Sequence, residues 1–365
     1  MKILSYFSVL LLFAASCASL PKNSDNVTRQ LKCGPGPEDM VLDSTSSSPR
    51  LLISCSQRRT DKKHPEIYPA FAEIMEYRFD GQEAKTLPRT GEPAGFVFNP
   101  HGIDIITVKN ETYLYVVNHR DDINQHYIVQ YIVQADKLVF KQQFTSAFMV
   151  SPNDCVAAPY GRVYVTNDSG KRNALGEKLF KKKRANVVMF DSLGNCSVVA
   201  EKLAYANGLY VDKDTIVIPN MTVTSSAMGD DTVFTKQFVV VYALYVSTVQ
   251  QKALFRYKAN ADGTLKVDTN IAPYFGYDNI TRYGDELIVV AHPKPLKFLA
   301  HMKNAKKPSP GITYAIKNRT KEPATRVLFA DDGKRISCNS TGLIYKNRLY
   351  ICQVFEPFIL EVDLK

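Results

Sequence analysis

The sequence predicts an all-β fold, a six-bladed β-propeller whose central channel holds metal ions. Three observations lead there. One local pattern recurs six times, period-two alternation of apolar residues dominates between its occurrences, and convincing amphipathic helices are scarce.

Each occurrence is a polar head, an apolar strand, a short turn and a second β-rich strand. "GPEDMVLD" leads to "RLLISC", "NPHGIDIITV" to "TYLYVVN", and "SPNDCVAA" to "RVYVTN". "YANGLYVD" leads to "TIVIPN", "GYDNITRY" to "ELIVVAHP", and "CNSTGLIY" to "RLYICQ". The heads are Glu38, His101, Asn153, Asn207, Asn279 and Asn339. Stretches such as "AEIMEYRF", "HYIVQYIVQ" and "ANVVMF" lie between them, giving about four strands to each unit of roughly 50–70 residues. A solenoid wants shorter, stricter units, and a sandwich has no reason to repeat one polar head. Lys171–Lys183 is the expected short helix. No linker splits the chain, so residues 21–365 are expected as one domain.

A chain of 365 residues, 45% of them hydrophobic, supplies ample core for such a fold. Residues 1–20 read as an export signal: Met1-Lys2 is the positive start, Ser8–Ala15 the apolar core, and Ala14-Ala15-Ser16 the small residues. The apolar run is too short to span a bilayer. "LFAASC" also reads as a lipoprotein box, with Cys17 lipidated and membrane-anchored; simple cleavage near residue 19 is the alternative. Either way the chain is expected outside the cytoplasm, periplasmic or secreted. The net charge of +10 is scattered, and export excludes nucleic acid as the partner. One basic cluster, Lys178–Arg184, is a candidate contact for an anionic membrane surface, a solvated loop being the plainer reading. Six cysteines follow Cys17; export permits disulfides, the spacing selects no pairing, and the absence of CxxC argues against zinc.

In a propeller every innermost strand runs the same way along the channel, so the six heads gather at one end of the axis. The resulting ring holds Glu38, Asn153, Asn207 and Asn279, with Asp278 beside it, all oxygen donors. Burying them uncompensated is costly. A hard cation resolves the cost, and calcium accepts six to eight oxygens from carboxylates and amide carbonyls. Glu38 and Asp278 balance its charge; magnesium, with its strict octahedron, suits the ring less well. Any single head is as readily a turn starter. Five at one axial position favour a metal.

The motifs "GPEDM", "PHGI", "VVNH", "PNDCVA", "ANG", "YDNI" and "AHP", in this order from Gly34 to Leu364, resemble the paraoxonase/arylesterase family, part of a six-bladed group that includes gluconolactonases. The resemblance implies two calcium ions. Glu38, Asn153, Asn207, Asp278 and Asn279 match the ligands of an upper, catalytic ion. Asp39, Asp154 and the backbone carbonyl of Ile103 match those of a lower, structural one. His101 and His119 match the family's histidine pair, one opening an inner strand and the other closing the next. The implied chemistry is activation of water by His101, with His119 holding its tautomer. His292 matches a third family histidine near the substrate pocket. His64, His126 and His301 have no such context and are expected to be exposed. The family's terminal disulfide has no counterpart; Cys33 and Cys352 lie in neighbouring strands and could replace it. Asn279 also begins a glycosylation sequon, "NIT", and as a ligand it must stay unmodified.

The leading expectation is therefore a calcium-dependent hydrolase acting on a small-molecule lactone or aryl ester. A single-metal sugar lactonase and a non-catalytic calcium-binding propeller are the alternatives.

Overall fold

The structure, a computed structural model, describes residues 20–45, 48–61, 63–172, 174, 176–177, 180, 182–225, 232–272, 275–317 and 324–364, with the side chains of 213–241 left aside. The expected signal segment, Cys17 included, lies outside these residues, as does part of both the Lys178–Arg184 cluster and the Lys171–Lys183 helix.

Six antiparallel sheets follow one another along the chain, each meandering outward from its first strand. The first strands of blades 1 to 6 are Pro37–Asp43, Pro100–Val108, Pro152–Ala158, Ala206–Ser225, Tyr277–Tyr283 and Asn339–Tyr345. Each of them packs against the first strand of the next blade, and the sixth against the first, so these six line the channel. The predicted six-bladed propeller is the observed fold. Blade 6 is completed by the N-terminal strand Val27–Lys32, which pairs antiparallel with Phe358–Asp363 and closes the ring without a covalent link. Blade 2 carries a fifth, short outer strand, Arg89–Thr90, parallel to Leu138–Phe144.

The core is divided into six clusters, each filling the space between two neighbouring blades. Both faces of a blade are therefore buried. This explains why strands such as Arg50–Ser56, buried throughout, read as continuous apolar runs rather than clean alternations. Each fully buried Leu or Ile contributes about 1.5–3 kcal/mol by transfer from water. Polar links cross the same interfaces. Tyr164 of blade 3 meets the Tyr242 hydroxyl of blade 4 at 2.7 Å and donates to the Gly263 carbonyl at 2.8 Å. Arg50 pairs with Asp43 at 2.9 Å within blade 1 and donates to the Ala135 carbonyl of blade 2 at 2.8 Å.

One irregularity repeats in all six blades. The pairing of the first strand with the second slips within its first four residues: between Pro37 and Asp39, Pro100 and Ile103, Pro152 and Cys155, Ala206 and Leu209, Tyr277 and Ile280, and Asn339 and Gly342. These are β-bulges, which release residues from the ladder and re-aim their side chains. Five of the six polar heads sit inside one, and Asn339 lies at the edge of its own, still paired with Gln353. A regular strand would send alternate residues to opposite faces of the blade; the bulge interrupts that alternation at the heads.

Helix Pro295–Lys303 follows the second strand of blade 5, starting on a proline at its first turn, where the missing N–H costs nothing. The sequence reading missed it. Its "PLKFLAHMK" run is too short to show a helical period against the β background.

Candidate active site

Near the heads, the six blades are linked around the channel by hydrogen bonds and close packing. Asp39 Oδ2 of blade 1 accepts from the Ile103 N–H of blade 2 at 2.8 Å. Gly102 of blade 2 lies so close to blade 3 that a Cβ there would stand 2.4 Å from Asp154 Oδ1. Asp154 Oδ2 accepts from the Leu209 N–H of blade 4 at 2.6 Å. Ser247 of blade 4 donates to the Asp278 carbonyl of blade 5 at 2.5 Å. Asn279 donates to Thr341 of blade 6 at 2.8 Å, and Thr341 donates to Asp39 Oδ1 at 2.9 Å, returning to blade 1.

Among the six heads and Asp278, six buried oxygens have no hydrogen-bond partner: Glu38 Oε2, Asn153 Oδ1, Asn207 Oδ1, Asp278 Oδ1, Asn279 Oδ1 and Asn339 Oδ1. The first five belong to the residues expected to hold the upper ion. Their parent residues are between 2% and 5% exposed, so water does not satisfy them from outside. Orphaned buried acceptors each cost about 1–3 kcal/mol. Two carboxylates and three amides, all oxygen, make a donor set for a hard cation, and its composition fits calcium. The residues fit the ion that the resemblance implies.

The lower residues are differently placed. All four carboxylate oxygens of Asp39 and Asp154 already accept a hydrogen bond, Asp39 from Met40, Thr341 and Ile103, and Asp154 from Cys155 and Leu209. Burial pushes both carboxyls up, and negative charge adds to it, that of Glu38 acting on Asp39 and that of Asp39 on Asp154. Two such neighbours share a proton or a cation. Ile103 is seen to contribute its N–H.

Around the five oxygens stand charged and aromatic groups. His101 Nε2 is 3.5 Å from Glu38 Oε2, and Arg58 Nη2 is 4.0 Å from the same oxygen. Burial raises the Glu38 carboxyl, but His101 and Arg58 outweigh it and hold the group below its usual range. His101 Nδ1 lies 2.9 Å from His119 Nε2, the hairpin of Pro100–Val108 and Glu111–Arg120 having brought both ends together. His292 Nε2 lies 2.7 Å from Asp278 Oδ2, leaving Oδ1 toward the axis. The helix Pro295–Lys303 lays Phe298 on the His292 ring, 4.8 Å between centroids, as an apolar wall.

Several expectations need correction. His126 is buried, 2% exposed, directly across the ladder from His119, with Nδ1 atoms 3.1 Å apart. The turn "RDDINQ" between two β-rich runs could have placed it there. His301 is also buried; it faces Arg59 at 2.9 Å and Glu356 at 3.1 Å, an ion-pair cluster under the helix. His64 is largely exposed. The nearest sulfur to Cys33 is Cys55, at 3.4 Å, and Cys33, Cys55 and Cys352 are free thiols in one apolar cluster. Asn339, the sixth head, packs on Gly311, where a Cβ would come within 2.5 Å of its Cγ, and its buried Oδ1 also lacks a hydrogen-bond partner. Arg58, Arg172 and Tyr205, whose charges or hydroxyl act on the channel residues, carried no motif that a sequence reading could use.

Comparison with known proteins agrees with the resemblance read from the motifs. The family model described as Arylesterase matches residues 60–239. Human serum paraoxonase/lactonase 3 is 26% identical over 290 residues, covering 77% of this chain and 73% of its own. The mouse protein of the same name is 25% identical over 311 residues, covering 81% and 79%. Among solved structures, a luciferin-regenerating enzyme aligns with a TM-score of 0.52 at 9% identity, covering 91% of this chain and 92% of its own, a likeness of fold.

Proposed function

We propose that the chain is a calcium-dependent hydrolase of lactones or aryl esters. The observation that supports it most is the set of buried oxygens without hydrogen-bond partners at the starts of the inner strands, together with a hydrogen-bonded histidine pair. Similarity to proteins named paraoxonase/lactonase and to the Arylesterase model points to the same class of ester hydrolysis.

In this reading Glu38, Asn153, Asn207, Asp278 and Asn279 hold the upper ion, and Asp39, Asp154 and the Ile103 carbonyl a lower one. When bound, the upper ion supplies a Lewis acid for the substrate carbonyl and a counter-charge for the developing oxyanion. His101 takes the proton of the attacking water at Nε2. His119 accepts from His101 Nδ1–H and so fixes the tautomer that leaves Nε2 basic. His292 orients Asp278 through Oδ2, and Phe298 excludes water from that side of the pocket. Residues 21–365 act as one propeller domain behind an export signal in residues 1–20, with Cys17 or Lys178–Arg184 as the membrane contacts if there are any. No helix among the described residues is long and apolar enough to cross a membrane.

The test is turnover of phenyl acetate, a δ-lactone and a long-chain γ-lactone. Asn153→Ala and Asp278→Ala abolish turnover while circular dichroism still reports the propeller, and dialysis against EDTA does the same to the parent protein. Full-rate hydrolysis by EDTA-dialysed protein overturns the mechanism. A second reading, the single-ion sugar lactonase, is favoured by the saturated oxygens of Asp39 and Asp154; one bound ion per chain identifies it. A propeller that binds calcium yet turns over nothing in the panel is the non-catalytic alternative.

A further inference from the structure

Next to the proposed base lies a histidine that this hydrolytic reading does not use. His126 begins on the strand Gln125–Val133 and faces His119 in register. Its Nδ1 is 3.1 Å from His119 Nδ1, and His119 Nε2 is 2.9 Å from His101 Nδ1. Three imidazoles thus make one unbroken N···N chain leading away from the channel. Burial, reinforced by the charge of Arg172, holds His119 well below the usual histidine range and His126 at about 4, so both rings are neutral at pH 7.

A neutral imidazole has one N–H and one lone pair. Two successive N–H···N bonds must therefore point the same way. With His101 Nδ1–H donating to His119 Nε2, and His119 Nδ1–H donating to His126 Nδ1, His101 Nε2 is the atom left to take a proton from the channel. His126 then ends the chain with an N–H at Nε2, a buried atom without a partner. His126 is also one of the residues that line a cavity of about 720 Å³, with Gln125, Thr145, Lys171 and Arg172.

We propose that His101, His119 and His126 form a proton relay that carries the proton of the attacking water out of the channel to the cavity beside His126. The inference rests on the hydrolase reading and supplies it with a proton exit. The water O–H bond breaks as its oxygen bonds the acyl carbon, and the proton goes to His101 Nε2. His101 passes its Nδ1 proton to His119 Nε2, and His119 passes its own to His126 Nδ1. His126 releases the Nε2 proton to cavity water. Hydrolysis of an ester to carboxylate and alcohol frees one net proton, and this route removes it. The charges of Asp121 and Asp168 favour the imidazolium as it forms on His126, and Arg172 keeps the proton from resting there.

His119, Asp121 and His126 also place three ligand atoms within 4.8 Å of one another, a composition that can hold a metal. Asp121, however, already receives both arms of Arg172, at 2.8 and 3.1 Å, and the two Nδ1 atoms face each other at hydrogen-bonding distance. These contacts favour the relay.

The experiment compares the parent protein with His126→Phe and His126→Ala on phenyl acetate. The relay predicts a fall in kcat of at least about tenfold with KM little changed. It also predicts that added imidazoles restore the His126→Ala rate, more effectively as their pKa rises. Labelling with 15N-histidine gives a readout independent of turnover and of whether the variants fold: N–N couplings across both hydrogen bonds in the parent protein. A folded His126→Phe protein with parental kcat, a folded His126→Ala protein without rescue, absent couplings, or a metal on the Nδ1 atoms each overturns the relay. A parent protein inactive on every ester and lactone overturns the hydrolase reading and the relay with it, whereas an active parent with an equally active variant overturns the relay alone.

Discussion

Replacing Asn153 by leucine, a near isostere, changes stability in opposite directions with and without the cation. Asn153 Oδ1 is buried and unpartnered, and an unsatisfied acceptor costs about 1–3 kcal/mol. In EDTA the leucine variant is therefore more stable than the parent by about that amount. In calcium at about a thousand times the upper ion's dissociation constant the parent gains about 4 kcal/mol from that ion, and a variant that no longer binds it lacks that gain. Unfolding entropy of about 2.1 cal/mol/K per residue over this chain gives about 0.8 kcal/mol/K. The upper ion should then raise the parent melting temperature by about 5 °C, a rise that the variant lacks, while in EDTA the variant melts about 1–4 °C above the parent. Thermal melts followed by circular dichroism, with a calcium titration against EDTA, read all four numbers. A variant destabilised in EDTA, with its calcium shift intact, would show that Asn153 is an ordinary structural amide and that the ring is not a cation site.

Three further outcomes are expected. Arg50→Ala removes a guanidinium that pairs with buried Asp43 and bonds the Ala135 carbonyl of the next blade; it should cost about 3–5 kcal/mol, read from urea denaturation, because it leaves a buried carboxylate unpaired. Gly208→Ala places a methyl 2.6 Å from the Asn279 Cα and 2.8 Å from the Asp278 carbonyl, so the inner strands of blades 4 and 5 must part; calcium affinity, measured by calorimetry, should fall at least tenfold while the fold survives. The folded-state pKa of His126, about 4, lies below the unfolded value of about 6.5, so its contribution to stability is present above pH 6.5 and lost as pH falls toward 4. Urea midpoints for His126→Phe should therefore decline less across that window than those of the parent; identical slopes would mean that His126 is not held neutral by its surroundings.

The sequence made six blades legible because each begins with a polar head before an apolar strand, and "NPHGIDIITV" followed by "TYLYVVN" already reads as a hairpin. What it concealed is the bulge at the start of every blade. A one-residue slip in pairing leaves no trace in composition, yet it decides that Glu38 and Asp39 can both turn toward the channel, Glu38 to His101 and Asp39 to Ile103. Isolated polar residues were misjudged for a related reason. His126 and His301 look like surface residues in their own segments, and their burial comes from partners elsewhere in the fold, across a ladder for one and on Arg59 and Glu356 for the other. Arg58 and Tyr205 sit at the channel through packing alone, with no periodicity to announce them.

The most direct measurement is elemental analysis of the purified protein, kept free of chelator and equilibrated with calcium, giving ion identity and stoichiometry. The account predicts two calcium ions per chain, at least one of them lost in Asp278→Ala. Protein that holds no divalent cation, while Glu38, Asn153, Asn207, Asp278 and Asn279 remain buried in a folded propeller, would contradict it.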